Sequence, residues 1–197
     1  TDNVTINGNG HTITASDDFA VNLEGQINLV KVEADNVTLS DVNLVSTDKT
    51  NHTLDVYGAD NLTLNNVVLD HTNAQSGAPL INNSSNITVT GEFETITGDN
   101  SWYAINVDDK VGSATITFDD NAAVTFTDKS EAQNKAPLYL EVESAEPEDV
   151  IINPDNAGLI LGDNGQFVPH THEATAVAAK AATCTEDGNI AYWYCEG

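Results

Sequence analysis

Short runs in which apolar and polar residues alternate recur along this chain in groups of three. In residues 36–60 they fall at 37–39, 42–45 and 53–57, the last setting Leu54 and Val56 between polar neighbours. The next group places them at 62–64, 67–69 and 79–82, and the one after at 87–89, 93–96 and 102–107. A period of two marks a strand that turns one face inward, so each group predicts three short strands. The flanking groups are looser. Runs at 4–6, 11–14 and 27–32 enclose an insertion around Asp17-Asp18-Phe19, and runs at 116–118, 123–127 and 138–142 precede an acidic loop over 143–149. A last short group is expected at 150–152, 159–161 and 166–168.

A five-residue phrase locks these groups together. Asp35-Asn36-Val37-Thr38-Leu39 returns as Asp2-Asn3-Val4-Thr5-Ile6, as Asp60-Asn61-Leu62-Thr63-Leu64 and as Ser85-Asn86-Ile87-Thr88-Val89. From asparagine to asparagine the steps are 33, 25 and 25 residues. Periods of this length mean stacked units, none able to bury its apolar face alone. Three strands per step fit one turn of a three-sided solenoid. An antiparallel β-sandwich also has many short strands, but it gives no reason to repeat a phrase at every third one. In a solenoid, equivalent residues of successive turns lie about 4.8 Å apart. Val37, Leu39, Leu62, Leu64, Ile87 and Val89 are then expected inside, with Thr38, Thr63 and Thr88 outside. Asn3, Asn36, Asn61 and Asn86 are expected to stack at one corner, their amides bonding from turn to turn.

This register, together with Asn7-Gly8-Asn9-Gly10-His11-Thr12-Ile13, resembles the right-handed parallel β-helix of the pectin-lyase-like superfamily over residues 1–168. The resemblance implies an all-β fold of about 25 residues per turn. After Pro169 the composition changes. The phrase Ala-Lys-Ala-Ala-Thr-Cys-Thr-Glu-Asp-Gly-Asn-Ile at 179–190 resembles a short repeat module of Gram-positive Firmicutes surface proteins. In that module Cys-x-x-Cys-Gly follows the Tyr-Trp pair, whereas here Tyr192-Trp193 leads to Tyr194-Cys195-Glu196-Gly197, without the second cysteine. Residues 169–197 are therefore expected to be a linker and a truncated module. The Ala-rich run at 174–182 would by itself favour a helix. A tight turn at Asp187-Gly188 would set Cys184 opposite Ala191, so a disulfide between Cys184 and Cys195 does not follow; a truncated metal or disulfide module and two free thiols both stay open.

Charge narrows the partners. Six lysines and no arginine stand against 31 acidic residues, a formal net charge of -25. Nucleic acid is excluded as a partner, because phosphate neutralisation needs cations that are absent here. Acidic polysaccharides and anionic bilayers are repelled as well. No apolar run of about 18 residues exists, so no membrane insertion is expected. Asparagine (23) and threonine (22) are abundant, which suits a chain of strands and tight corners.

Candidate chemistry is sparse. The resemblance brings lyases and glycoside hydrolases into view, but a pectate lyase relies on an arginine beside carboxylate-bound calcium, and this chain has none. Paired carboxylates occur at Asp17-Asp18, Asp108-Asp109 and Asp119-Asp120. Neighbours along a strand point to opposite faces, and the pairs sit near loops, so turn formation and solubility account for them. Asp108, Asp109, Asp119 and Asp120 are the candidate metal ligands, with calcium the cation their oxygen chemistry suits. His11, His52 and His71 are expected to face solvent, and His170 and His172 supply two ligands from a linker, too few for a site. No residue is assigned to catalysis. The expected function is a non-catalytic, extracellular module of a bacterial cell-surface, adhesin-like protein. It would be a monomer within a larger multidomain chain, serving as a stalk or as a binding surface for carbohydrate or a host surface protein. The alternative is a carbohydrate-active β-helix enzyme.

Overall fold

A computed structural model describes residues 3–16, 18–19, 27–110, 113–143, 145–170 and 174–195. Asp17, His172, Glu196 and Gly197 lie outside the described residues. The strands are β1 (Val4–Thr14), β2 (Asn28–Val32), β3 (Val37–Val45), β4 (His52–Tyr57), β5 (Thr63–Asp70), β6 (Leu80–Asn82), β7 (Ile87–Thr97) and β8 (Ile105–Asp109). They continue with β9 (Ile116–Phe118), β10 (Ala123–Asp128), β11 (Leu138–Val142), β12 (Ile151–Ile152), β13 (Leu159–Leu161), β14 (Phe167–Pro169), β15 (Ala174–Val177) and β16 (Tyr192–Cys195). One sheet runs β1-β3-β5-β7-β9-β12 with β10 also on β7, and a second runs β2-β4-β6-β8-β11. Every pairing in these two sheets is parallel. The chain is a right-handed parallel β-helix of about four turns.

The phrase and the alternation explain the geometry. The runs at 37–39 and 42–45 form one strand, β3, that bends at Asp41, where φ is 49°. The next turns bend equivalently at Asn66 (φ 54°) and Gly91 (φ 65°). This left-handed conformation is open to Asn, Asp and Gly and closed to bulkier side chains. At Gly91 a Cβ would also collide with the Asn66 side chain of the turn below. The sheet is thereby folded into two sides, and by the end of β7 it divides outright: β9 continues the first side and β10 the second. The third side is the β2-to-β11 sheet.

Inside, Val37, Leu39, Leu62, Leu64, Ile87 and Val89 are all buried in one core with Leu54, Val56, Val67, Leu69, Ile105 and Val107. Outside the first side, Thr5, Thr38, Thr63, Thr88 and Thr117 stand in register. Between the second and third sides each turn of the solenoid adds a tight reversal: the N–H groups of Thr50, Ala74, Ser101 and Gln133 donate to the carbonyls of Thr47, His71, Gly98 and Ser130. Such stacked reversals bury polar side chains, among them Ser46, Thr50, His71, Thr97 and Ser101.

Three expectations are corrected here. The last group does not make a further turn. β12 pairs in parallel with β9, but β13 and β14 pair antiparallel with each other and fold over the end with Val150, Ala157, Leu159 and Phe167 buried. The Gln166 amide seals the edge of β11, accepting from Leu140 N–H at 2.9 Å and donating to Leu140 O at 3.4 Å. In the tail, the Ala-rich run forms strand β15 rather than a helix, and its hairpin reverses at 183–186, where Thr183 N–H donates to Glu186 O, not at Asp187-Gly188. The backbone register there is Ala174 opposite Cys195 and Lys180 opposite Asn189, so Cys184 lies at the tip as a free, exposed thiol and Cys195 is at the base. No helix among the described residues is long and apolar enough to cross a membrane.

Candidate functional site

The asparagine corner is a built ladder. Asn3, Asn36, Asn61 and Asn86 all adopt left-handed backbone (φ 55° to 62°). Asn61 Nδ2 donates to Asn36 Oδ1 at 3.0 Å, and Asn86 Nδ2 to Asn61 Oδ1 at 2.5 Å. Beside them Asp35 accepts from Asp60 N–H, and Asp60 accepts from Ser85 N–H. The amide ladder thus runs from Asn36 through Asn61 to Asn86, while Asn3 shares the corner conformation without an amide bond to Asn36; bonds made from turn to turn suit architecture rather than ligand capture.

The paired carboxylates do not converge. In β8 the alternation sends Asp108 outward and buries Asp109, whose Oδ2 accepts from the backbone amides of Ser113 and Ala114. Asp119 and Asp120 sit in the turn after β9, where Asp119 accepts from Asn121 N–H and Asp120 from the Asn156 amide. Asp18 is exposed in a turn. Among the described residues no three His, Cys, Asp or Glu side chains gather as metal ligands would.

The histidines divide. His11 is exposed, its ring meeting the Asn9 carbonyl. His170 is placed by a bond from its own N–H to Gly158 O. His52 and His71, expected at the surface, are both 1% exposed. The reversals at the second corner enclose them. His52 Nδ1–H donates to Ala78 O, and its ring meets Trp102 edge-on at 6.2 Å. His71 accepts at Nδ1 from the Thr53 hydroxyl (3.4 Å) and donates from Nε2 to Ser76 O (3.3 Å). Burial pulls its pKa down to about 4, so the ring is neutral at pH 7.

The outward face of the third side has a different character. Val56, Ile81, Val107 and Leu140 point into the core. The residues between them therefore point out, in two registered columns: Lys31, Asp55, Leu80, Asn106 and Tyr139, then Tyr57, Asn82, Asp108 and Glu141. Tyr103, just before β8, lies flat on Tyr139 with ring centroids 4.3 Å apart and planes 6° from parallel. Burial, then Tyr139 and Glu141, push the Tyr103 hydroxyl pKa up. Lys31 Nζ sits 4.5 Å over the Tyr57 ring and 2.8 Å from Glu33 Oε1. That bond to Glu33 is the chief reason the ammonium titrates above its ordinary range. Asp55 is drawn under this group, accepting from Asn28 Nδ2 at 2.6 Å, and burial raises its pKa.

The three tyrosines and one tryptophan that precede residue 170 are Tyr57, Trp102, Tyr103 and Tyr139, and all lie on this face or at its edge. The other two faces carry no tyrosine or tryptophan. Sequence reading missed this grouping because the four are spread unevenly between positions 57 and 139, and only the lengths of the intervening loops bring them together. Comparison with protein-family models, with curated proteins and with solved structures gives no match to this chain.

Proposed function

We propose that the chain is a non-catalytic, saccharide-binding module of a bacterial cell-surface, adhesin-like protein, and that the third face of the solenoid is its binding surface. The observation that carries this reading is the gathering of Tyr57, Trp102, Tyr103 and Tyr139 on one face among Asn82, Asn106, Asp108 and Glu141. Flat aromatic rings take up the apolar faces of pyranose rings, and carboxamides and carboxylates at their edges accept from hydroxyls. β4 and β11 are three strand spacings apart, about 14 Å, so the platform suits a chain of linked sugars rather than one. The fold alone would license no such reading; the residues on it do. The surface-protein setting rests on the resemblance of residues 179–190. The net charge of -25 argues against uronate polymers.

Titration of neutral, amino and uronate oligosaccharides, followed through Trp102 fluorescence in a Trp193→Phe background, tests the reading. Neutral or amino oligosaccharides should shift the emission, and Tyr139→Ala should abolish the shift. No oligosaccharide should yield new reducing ends or unsaturated products. Absence of any binding sinks the proposal. Turnover that disappears in Asp108→Asn or Asp119→Asn would replace it with the carbohydrate-active enzyme.

A further inference from the structure

We infer that the saccharide this face takes carries a free amine, which is held at the Tyr103–Tyr139 pair by Asp108, Glu141 and Asn106. The inference rests on the saccharide reading above and specifies its ligand.

One end of the face already holds an ammonium. Lys31 Nζ lies over the Tyr57 ring and against Glu33, an arrangement that joins cation–π attraction to a carboxylate. The other end repeats the aromatic and acidic parts without the cation. Glu141 follows Tyr139 by two residues on the same outward side of β11, and Asp108 stands opposite Glu141 in register. Among the described residues the ion pairs are Lys31–Glu33, Lys49–Asp48 and Lys180–Glu186, so neither Asp108 nor Glu141 is neutralised by one.

An independent sign comes from Asn106. It is paired in register with Tyr139 and 5% exposed, and its Oδ1 has no hydrogen-bond partner. The other buried, unpartnered side-chain atoms in this sheet are Asn28 Oδ1, His52 Nε2 and Asp55 Oδ1. The three oxygens are acceptors, and a buried acceptor is left unmatched only at a cost that a donor would remove. At the Tyr103–Tyr139 end the Asn106 acceptor therefore has no donor, and the two carboxylates have no ion-pair partner. An amino sugar brings both on a ring that stacks on tyrosine. N-acetylation deletes the charge, and a uronate reverses it.

Calorimetric titration at fixed ionic strength with short glucosamine, N-acetylglucosamine and galacturonate oligomers tests this. The glucosamine oligomer should bind at least about tenfold more tightly than its N-acetylated counterpart, with no uronate binding. The double variant Asp108→Asn, Glu141→Gln should bring the two within about threefold, and Tyr139→Ala should lose both. A double variant of exposed acids elsewhere, Glu148→Gln with Asp163→Asn, should keep the original ratio. Equal or tighter binding of the N-acetylated oligomer would overturn the amine while leaving saccharide binding intact. Oligolysine matching the glucosamine oligomer, with no loss in Tyr139→Ala, would overturn it in favour of general attraction to an acidic protein. If none of the oligomers binds, the saccharide reading falls as well.

Discussion

Leu64→Ala measures how far the solenoid depends on strict inward alternation. Leu64 is 2% exposed and held in register between Leu39 below and Val89 above. Truncation removes three carbons, about 2.4 kcal/mol of transfer free energy at about 0.8 kcal/mol each. A cavity term adds to this. Here that term should be large, because Leu39 and Val89 are fixed along the axis by their own strand ladders and cannot close the gap. The expected cost is about 3 to 5 kcal/mol. Thr63→Ala, one residue away, removes an outward hydroxyl between Thr38 and Thr88 and should cost less than about 1 kcal/mol. Urea denaturation of the two variants beside the parent gives the midpoint and the slope m. Since each turn contacts only its neighbours, a defect in the middle of the stack should also lower m by uncoupling the turns on either side. Costs below about 1.5 kcal/mol for Leu64→Ala, or equal costs for both variants, would refute the inward column.

His71 gives the chain an acid-side weakness. Its folded pKa is about 4 against 6.5 for a free ring, so between these values the unfolded chain binds more protons and stability falls as pH falls. The loss should reach about 3 kcal/mol below pH 4, with Asp55, raised by burial, acting in the opposite sense. Denaturation at pH 7, 5 and 4 should show a steeper decline for the parent than for His71→Gln; parallel curves would exclude His71 as the cause. Truncation after His170, whose N–H bonds to Gly158 O and ends the β13–β14 cap, should leave the thermal midpoint nearly unchanged. Aggregation of the truncated chain, or a fall of many degrees, would make the tail part of the cap.

The repeated phrase made the first side of the solenoid legible, because its alternation and its asparagine depend only on local strand period and corner conformation. The second corner was not legible. Its reversals begin at Thr47, His71, Gly98 and Ser130, which share no residue type, and what they have in common is a backbone bond. His52 and His71 looked like surface residues because their sequence neighbours are polar; it is the stacking of successive reversals, not the local sequence, that buries the two rings. The terminal segments misled for a related reason. Runs such as Leu159-Ile160-Leu161 look like strands whether they pair in parallel or antiparallel, and only the reversal near Asn164-Gly165 decides between the two. The aromatic face was hidden by the unequal loops between its members.

The Gln166 clamp on β11 has a mechanical consequence. Hydrogen bonds between turns run along the solenoid axis, so a pull on its two ends loads the turns in series, and each junction bears the whole force. The final junction is slight: β12 offers β9 two residue pairs, the Asn156 amide donates to Phe118 O at the end of β9, and the Gln166 amide closes the edge of β11. Tension applied from the C-terminal side strips the cap first and frees β11 next. That strand carries Tyr139 and Glu141. Under such a load the strand that bears two residues of the third face comes away while most of the turns are still wound.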